Sequence, residues 1–219
     1  MEQIQNNRVI TDLYRENAQF PGIALDGSDV YLCWQRFVDR HDSLMASCRR
    51  GDEVVWEREI SDGGEVLHPV ILAHGGAIWY AWSEYARENW RILARCYRDG
   101  QWGEVLTVAS GEALFFPRLF TWQGRLHVIW TEQHKGSAAA VLCPLTEAGP
   151  GAAETVSAVG EAYRAGAAEG GDGNLYVAYD GFDGKQYKLF ARARTAAGWS
   201  KEIVVSQGED WASTPWIAA

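Results

Sequence analysis

Four segments of this 219-residue chain gather the residue types that hold or cleave sugars: QRFVDRHDS (35–43), SEYARENWR (83–91), TEQHKGS (131–137) and DGFDGKQYK (180–188). Each carries a carboxylate, and three carry large aromatics: Asp39 stands with Phe37, Glu84 with Tyr85 and Trp90, and Asp180 with Phe182 and Tyr187, while Glu132 stands with His134. Aromatic faces stack on sugar rings, and carboxylates beside arginines or lysines hold hydroxyls. The candidate binding residues are therefore Arg36, Glu84, Tyr85, Trp90, Arg91, Glu132, Asp180 and Tyr187. Glu84, Glu132 and Asp180 also offer paired carboxylates for glycoside hydrolysis, a chemistry decided by their separation. The plainer alternative, solvated loops whose aromatics cover strand edges, carries more weight, because a fold does not by itself imply a function.

These segments are positioned by a repeat, the first thing to look for in a chain of this length. PGIALDGSDVYLCW (21–34), PVILAHGGAIWYAW (69–82), PRLFTWQGRLHVIW (117–130) and RAGAAEGGDGNLYVAY (164–179) align so that Trp34, Trp82, Trp130 and Tyr179 fall about 48 residues apart. Cys48, Cys96 and Cys143, with Ala193, form a second column, and Ser61, Ser110, Ser157 and Ser206 a third. Each unit reads as four short strands: an apolar run ending in a Gly turn, an aromatic-ended strand apolar on both faces, a third strand reached over a longer polar loop, and a β-branched fourth. Units of four antiparallel strands that cannot bury both faces alone are propeller blades. The expected fold is all-β, one β-propeller domain over 1–219 with repeats at approximately 21–61, 69–110, 117–157 and 164–206. In a propeller the loops between second and third strands lie on the face of the blade-to-blade connections, around the mouth of the central channel. Variable loops on a repeated scaffold are where binding usually resides.

The ends do not close this ring. Residues 8–13 resemble an outer fourth strand, with Thr11 in the column of Ser61, and 215–219 resembles the opening strand of a fifth unit. Three outcomes are open: a chain that continues, closure by self-association, or spare end strands around four blades. A chain that continues is the simplest of the three; if the chain is a stable product as given, its unpaired strand edges favour a homo-oligomer built through these ends.

Composition narrows the partners. A net charge of -9 argues against nucleic acid, whose phosphates need a basic footprint, and favours a neutral or cationic partner. The N-terminus lacks the pattern of a signal peptide and no segment is long enough to span a membrane as an apolar helix, so a soluble, cytoplasmic protein without membrane partners is expected. No metal or cofactor is expected. Cys33, Cys48, Cys96 and Cys143 form no CxxC pair, His127 shares the column of Tyr31, Trp79 and Tyr176 and reads as a packed strand residue, and His41, His68, His74 and His134 show no ligand spacing. Gly170-Gly171-Asp172-Gly173 lies in a strand turn with no helix after it, unlike a phosphate loop.

The unit, with Asp99-Gly100-Gln101-Trp102 and Gly198-Trp199-Ser200 after its third strand, resembles the sialidase-like and related lectin propellers over nearly the whole chain. That resemblance implies the propeller fold. In sialidases it would also imply three arginines holding a substrate carboxylate, a Tyr nucleophile paired with a Glu, and an Asp acid/base. Here Arg118 and Arg164 stand near the repeat's opening, while Gly22 and Val70 take that place in the first two repeats. The sequence thus argues for a non-enzymatic binding or interaction module with a carbohydrate as the fitting ligand. A glycoside-processing enzyme and an inactive propeller fragment are the alternatives.

Overall fold

A computed structural model describes residues 17–61, 63–158, 160–208 and 211–218. The described chain is all-β: four antiparallel sheets follow one another along the sequence, the arrangement of a β-propeller. The first sheet holds β1 (Asn17–Asp26), β2 (Asp29–Val38), β3 (His41–Arg50) and β4 (Glu53–Glu59). The second holds β5 (Glu65–His74), β6 (Ala77–Ala86), β7 (Asn89–Arg98), β8 (Gln101–Trp102) and β9 (Leu106–Gly111). The third holds β10 (Ala113–Trp122), β11 (Arg125–His134), β12 (Ser137–Thr146), β13 (Gly149–Pro150) and β14 (Glu154–Thr155). The fourth holds β15 (Ala162–Glu169), β16 (Leu175–Phe182), β17 (Tyr187–Thr195), β18 (Gly198–Trp199) and β19 (Ile203–Val204). The outer strand of sheets two to four is broken in two. There the backbone N–H of Gly103, Gly151 or Ser200 donates to the carbonyl of Cys96, Pro144 or Ala193 and bends the chain away from the ladder.

The second strands sit inside because both their faces are apolar. Trp82, Trp130 and Tyr179 are buried to 0–1% exposure, and each sheet packs its faces on its neighbours in three cores, one per blade junction. Guanidinium groups reinforce the junctions. Arg95 donates to the carbonyls of Gly103 and, across the junction, Ile60, and it lies over the Trp102 ring. Arg192 repeats the arrangement with Ser200, Val156 and Trp199. His127 is a packed strand residue, 6% exposed and stacked on Phe120. All four cysteines are buried free thiols, and burial pushes Cys33 up to about 12 and Cys143 up to about 11.

Two columns shift on folding. Tyr31 pairs with Cys48, Trp79 with Cys96 and Tyr176 with Ala193, but His127 pairs with Pro144. Cys143 therefore lies on the opposite face, in the core shared with the second sheet, because strand side chains alternate and one residue reverses the face. Ser61, Ser157 and Ser206 each accept, through Oγ, the backbone N–H of the residue 17 positions earlier: Leu44, Ala140 and Leu189. In the second sheet that place belongs to Ala109, which pairs with Ile92, and Ser110 stands opposite Arg91 one step beyond.

The four inner strands pack in order, β1 on β5, β5 on β10 and β10 on β15, but β15 and β1 do not pack on each other in this way. Residues 211–218 enter the sector between them. Ala212 N–H donates to the Tyr187 carbonyl, Thr214 N–H to the Asp180 carboxylate, and Ile217 lies against Gly166. The expected outer strand at 8–13 lies outside the described residues.

Candidate functional site

Each inner strand carries the same irregularity near its start. The β1–β2 register shifts between Gln19 and Gly22, and equivalent shifts fall at Leu67/Val70, Phe115/Arg118 and Tyr163/Gly166. The bulge begins with a residue of left-handed backbone: Phe20 (φ 51), His68 (φ 53), Phe116 (φ 56) and Arg164 (φ 44). In three sheets Pro21, Pro69 or Pro117 follows, a residue tolerated where the ladder needs no N–H. Thr214, with φ 58 and followed by Pro215, repeats the conformation in the terminal segment. Five equivalent residues thus come from four sheets and one partial unit.

Their side chains surround one cavity of about 250 Å3, lined by Phe20, His68, Phe116, Arg118, Arg164 and Thr214 with three prolines. The Phe20 and His68 rings meet edge-on at 5.0 Å, and His68 lies 4.2 Å from Phe116. The Arg164 guanidinium lies over Phe116 at 6.0 Å. Burial, then the neighbouring Arg118, pushes His68 down to about 4, and its buried Nδ1 has no hydrogen-bond partner. Arg118 rests over the Trp216 ring at 5.5 Å, and burial lowers its pKa. The two arginines occupy positions two residues apart in the bulge and not one column: Arg118 shares its place with Gly22 and Val70, Arg164 with Phe20 and His68.

Around the cavity the second strands carry a buried polar residue just past the aromatic anchor: Gln35, Ser83, Thr131 and Asp180. Thr131 accepts the Arg164 backbone N–H from the next sheet at 3.1 Å, and Asp180 accepts the Thr214 N–H at 3.3 Å. Asp180, fully buried, also receives Arg164 Nε at 3.0 Å. Both Asp180 carboxylate oxygens thus meet the Arg164 guanidinium, and Oδ1 also meets the Thr214 amide.

The residues expected at the channel mouth divide among different places. The segments holding them are not long loops: β2 runs to Val38 and β6 to Ala86, joined onward by two-residue turns at Asp39-Arg40 and Arg87-Glu88. Glu84 lies fully buried within β6, its carboxylate bound by Arg91 and by Trp82 Nε1 at 3.2 Å, in space that Gly64 leaves open by having no Cβ. Tyr85 and Trp90 face each other across the same hairpin at 5.2 Å. Arg36 pairs with Glu59 at 3.3 Å. Glu132 lines a separate cleft of about 550 Å3 with His134, Lys135 and Thr155. Tyr187 contacts Tyr163, Phe182 and Trp211. Of the eight, Asp180 is hydrogen-bonded to a residue of the axial cavity. The missed set, Phe20, His68, Phe116 and Thr214, was marked by one signal: the residue before a proline, repeated at the blade period.

This chain is similar in fold to propeller glycoside hydrolases. A xylan β-1,4-xylosidase from Bacillus halodurans C-125 superposes with a TM-score of 0.52 at 14% identity, over 87% of this chain and 43% of the xylosidase. A subtype N10 neuraminidase-like protein of an influenza virus from a little yellow-shouldered bat matches with a TM-score of 0.59 at 9% identity, over 89% of this chain and 61% of that one. A family 117 glycoside hydrolase of Zobellia galactanivorans matches with a TM-score of 0.54 at 11% identity, over 88% and 71%. This chain therefore spans less than half of the xylosidase. No family model and no curated protein matches the sequence.

Proposed function

We propose that this chain is a non-enzymatic propeller binding module whose axial cavity takes a carbohydrate. One observation carries the proposal: five equivalent positions converge on a cavity with two phenylalanine faces, an imidazole and two arginines. Its neighbouring carboxylate, Asp180, is buried and committed to Arg164. Aromatic faces with a few polar groups suit a sugar ring. Hydrolysis needs one carboxyl group free to donate a proton and a second placed across the glycosidic bond. Glu84 is tied to Arg91, and Glu132 lines a different cleft. A glycan array alongside chromogenic glycosides tests this. Saturable sugar binding without turnover, lost in Phe116→Ala, is expected. Turnover abolished by Glu132→Gln or Asp180→Asn would overturn the proposal in favour of a glycoside-processing enzyme.

A further inference from the structure

Trp82 and Glu84 on β6 recur at the blade period as Trp130 and Glu132 on β11, but their surroundings differ. In the second sheet the Glu84 carboxylate accepts Trp82 Nε1 at 3.2 Å and is bound by Arg91, which stands opposite it on β7. This inward pose needs Gly64, where a Cβ would lie 2.5 Å from Glu84 Cγ. In the third sheet Glu112 takes the place of Gly64, and Ala139, opposite Glu132, takes the place of Arg91. Trp130 is 1% exposed and its Nε1 has no partner, so Glu132 is not drawn inward as Glu84 is. The outer walls match, with Thr107 opposite Leu93 and Thr155 opposite Val141. Glu132, Ala139, Val141 and Thr155 line the cleft of about 550 Å3, together with the exposed His134 and Lys135. The space that a guanidinium fills in the second sheet is thus open in the third. This cleft shares no lining residue with the axial cavity. Glu112 faces His134 at 3.2 Å and accepts the Lys135 backbone N–H at 3.4 Å, while Glu132 forms no ion pair among the described residues.

We propose that this cleft binds an alkylguanidinium, its planar cation held by the Glu132 carboxylate and its stem lying along Ala139 and Val141. The second sheet supplies the template, since Arg91 places the same group against Glu84. A guanidinium presents paired N–H donors that match the two oxygens of a carboxylate, whereas an ammonium acts as a point charge. The chain's net charge of -9 favours an incoming cation. Lys135 is the cation nearest at hand, but it belongs to a tight turn with left-handed backbone (φ 49) and is exposed. A free alkylguanidine and the arginine side chain of another protein share this chemistry.

Titration calorimetry on the full chain at pH 7 tests this with butylguanidinium and N-acetyl-arginine methylamide. Butylammonium and N-acetyl-citrulline methylamide serve as the ammonium and neutral counterparts. Butylguanidinium is expected to saturate with a dissociation constant of about 1 mM and to bind about fivefold tighter or more than butylammonium. The arginine amide should exceed the citrulline amide by about tenfold, the scale of one charge-assisted hydrogen bond. Binding of both guanidinium compounds would admit a protein side chain as the occupant, and binding of butylguanidinium alone would restrict it to free alkylguanidines. Glu132→Gln should weaken binding by about tenfold or more, with an unchanged melting temperature showing that the variant is folded. Ala139→Arg restores the second-sheet arrangement from within the chain, so it should abolish binding while the melting temperature holds or rises. If Ala139→Arg does not fold, Glu132→Gln decides alone. No saturation by about 20 mM, equal affinity for butylammonium or the citrulline amide, or binding that survives Glu132→Gln would overturn the proposal.

Discussion

His68 shows how a single residue is shaped by the ring around it. Its imidazole lies between Phe20 and Phe116, in a column where phenylalanine is the commonest occupant, and its buried Nδ1 has no partner. Burial, then Arg118, lowers its pKa from 6.5 to about 4. Between those values the unfolded chain binds a proton that the folded chain does not, so stability falls as pH drops from about 6.5 to about 4. His68→Phe keeps the ring contacts and deletes the titrating nitrogen. The melting temperature of the variant should lose less than that of the parent over this window, and at pH 7 the variant should be as stable or up to about 1 kcal/mol more stable, since an unsatisfied buried group disappears. Identical pH profiles for the two proteins would show that His68 does not titrate as described.

At the scale of the strand and turn, the sequence announced some features and concealed others. The blade period, the aromatic anchors at Trp34, Trp82, Trp130 and Tyr179, and the Gly turns at 75–76 and 123–124 were legible, because burial and positive φ leave marks in residue type. Cys143 and Ser110 were misplaced because identity of residue type was followed where the register keeps a fixed step: the true partners are Pro144 and Ala109. The turns at Asp39-Arg40 and Arg87-Glu88 were hidden for the opposite reason. All four residues adopt left-handed backbone without being glycine, so the segments read as longer polar loops and their buried carboxylate Glu84 as a loop residue. The axial bulges were marked in position, by a residue before proline at the blade period, but not in conformation, since such a residue ordinarily favours extended backbone. A left-handed conformation costs a non-glycine residue about 1 kcal/mol or more. Replacing Arg87-Glu88 by Asn-Gly should therefore stabilise the protein by about 1 kcal/mol and raise the melting temperature by about 2–4 °C. A lowered melting temperature would mean that the turn is held by contacts of Arg87 or Glu88 that outweigh the backbone strain.

Among the described residues, the blade junction is made three times, and its two complementary faces are exposed on the first and fourth sheets. Ile71 packs into the junction between sheets one and two, Leu119 between two and three, and Ala167 between three and four, each against the preceding sheet. Ile23 holds the same place in the first sheet and is 64% exposed, as is Leu25. Conversely Tyr31 and Trp79 are buried against the sheet that follows, whereas Tyr176, their equivalent in the fourth sheet, is 40% exposed. The Ile23 face of one copy is thus the complement of the Tyr176 face of another, a head-to-tail contact that joins unlike surfaces and can close into a ring or extend. We propose that copies of this chain associate in this way. Light scattering should show a mass that rises with concentration. Ile23→Lys with Leu25→Lys should return it to the monomer at little cost to melting temperature, because both side chains are already in solvent. A strict monomer at about 100 μM would defeat the head-to-tail contact, 100 μM being a concentration that populates even weak interfaces. An oligomer unaffected by the double lysine change would place the contact elsewhere on the chain.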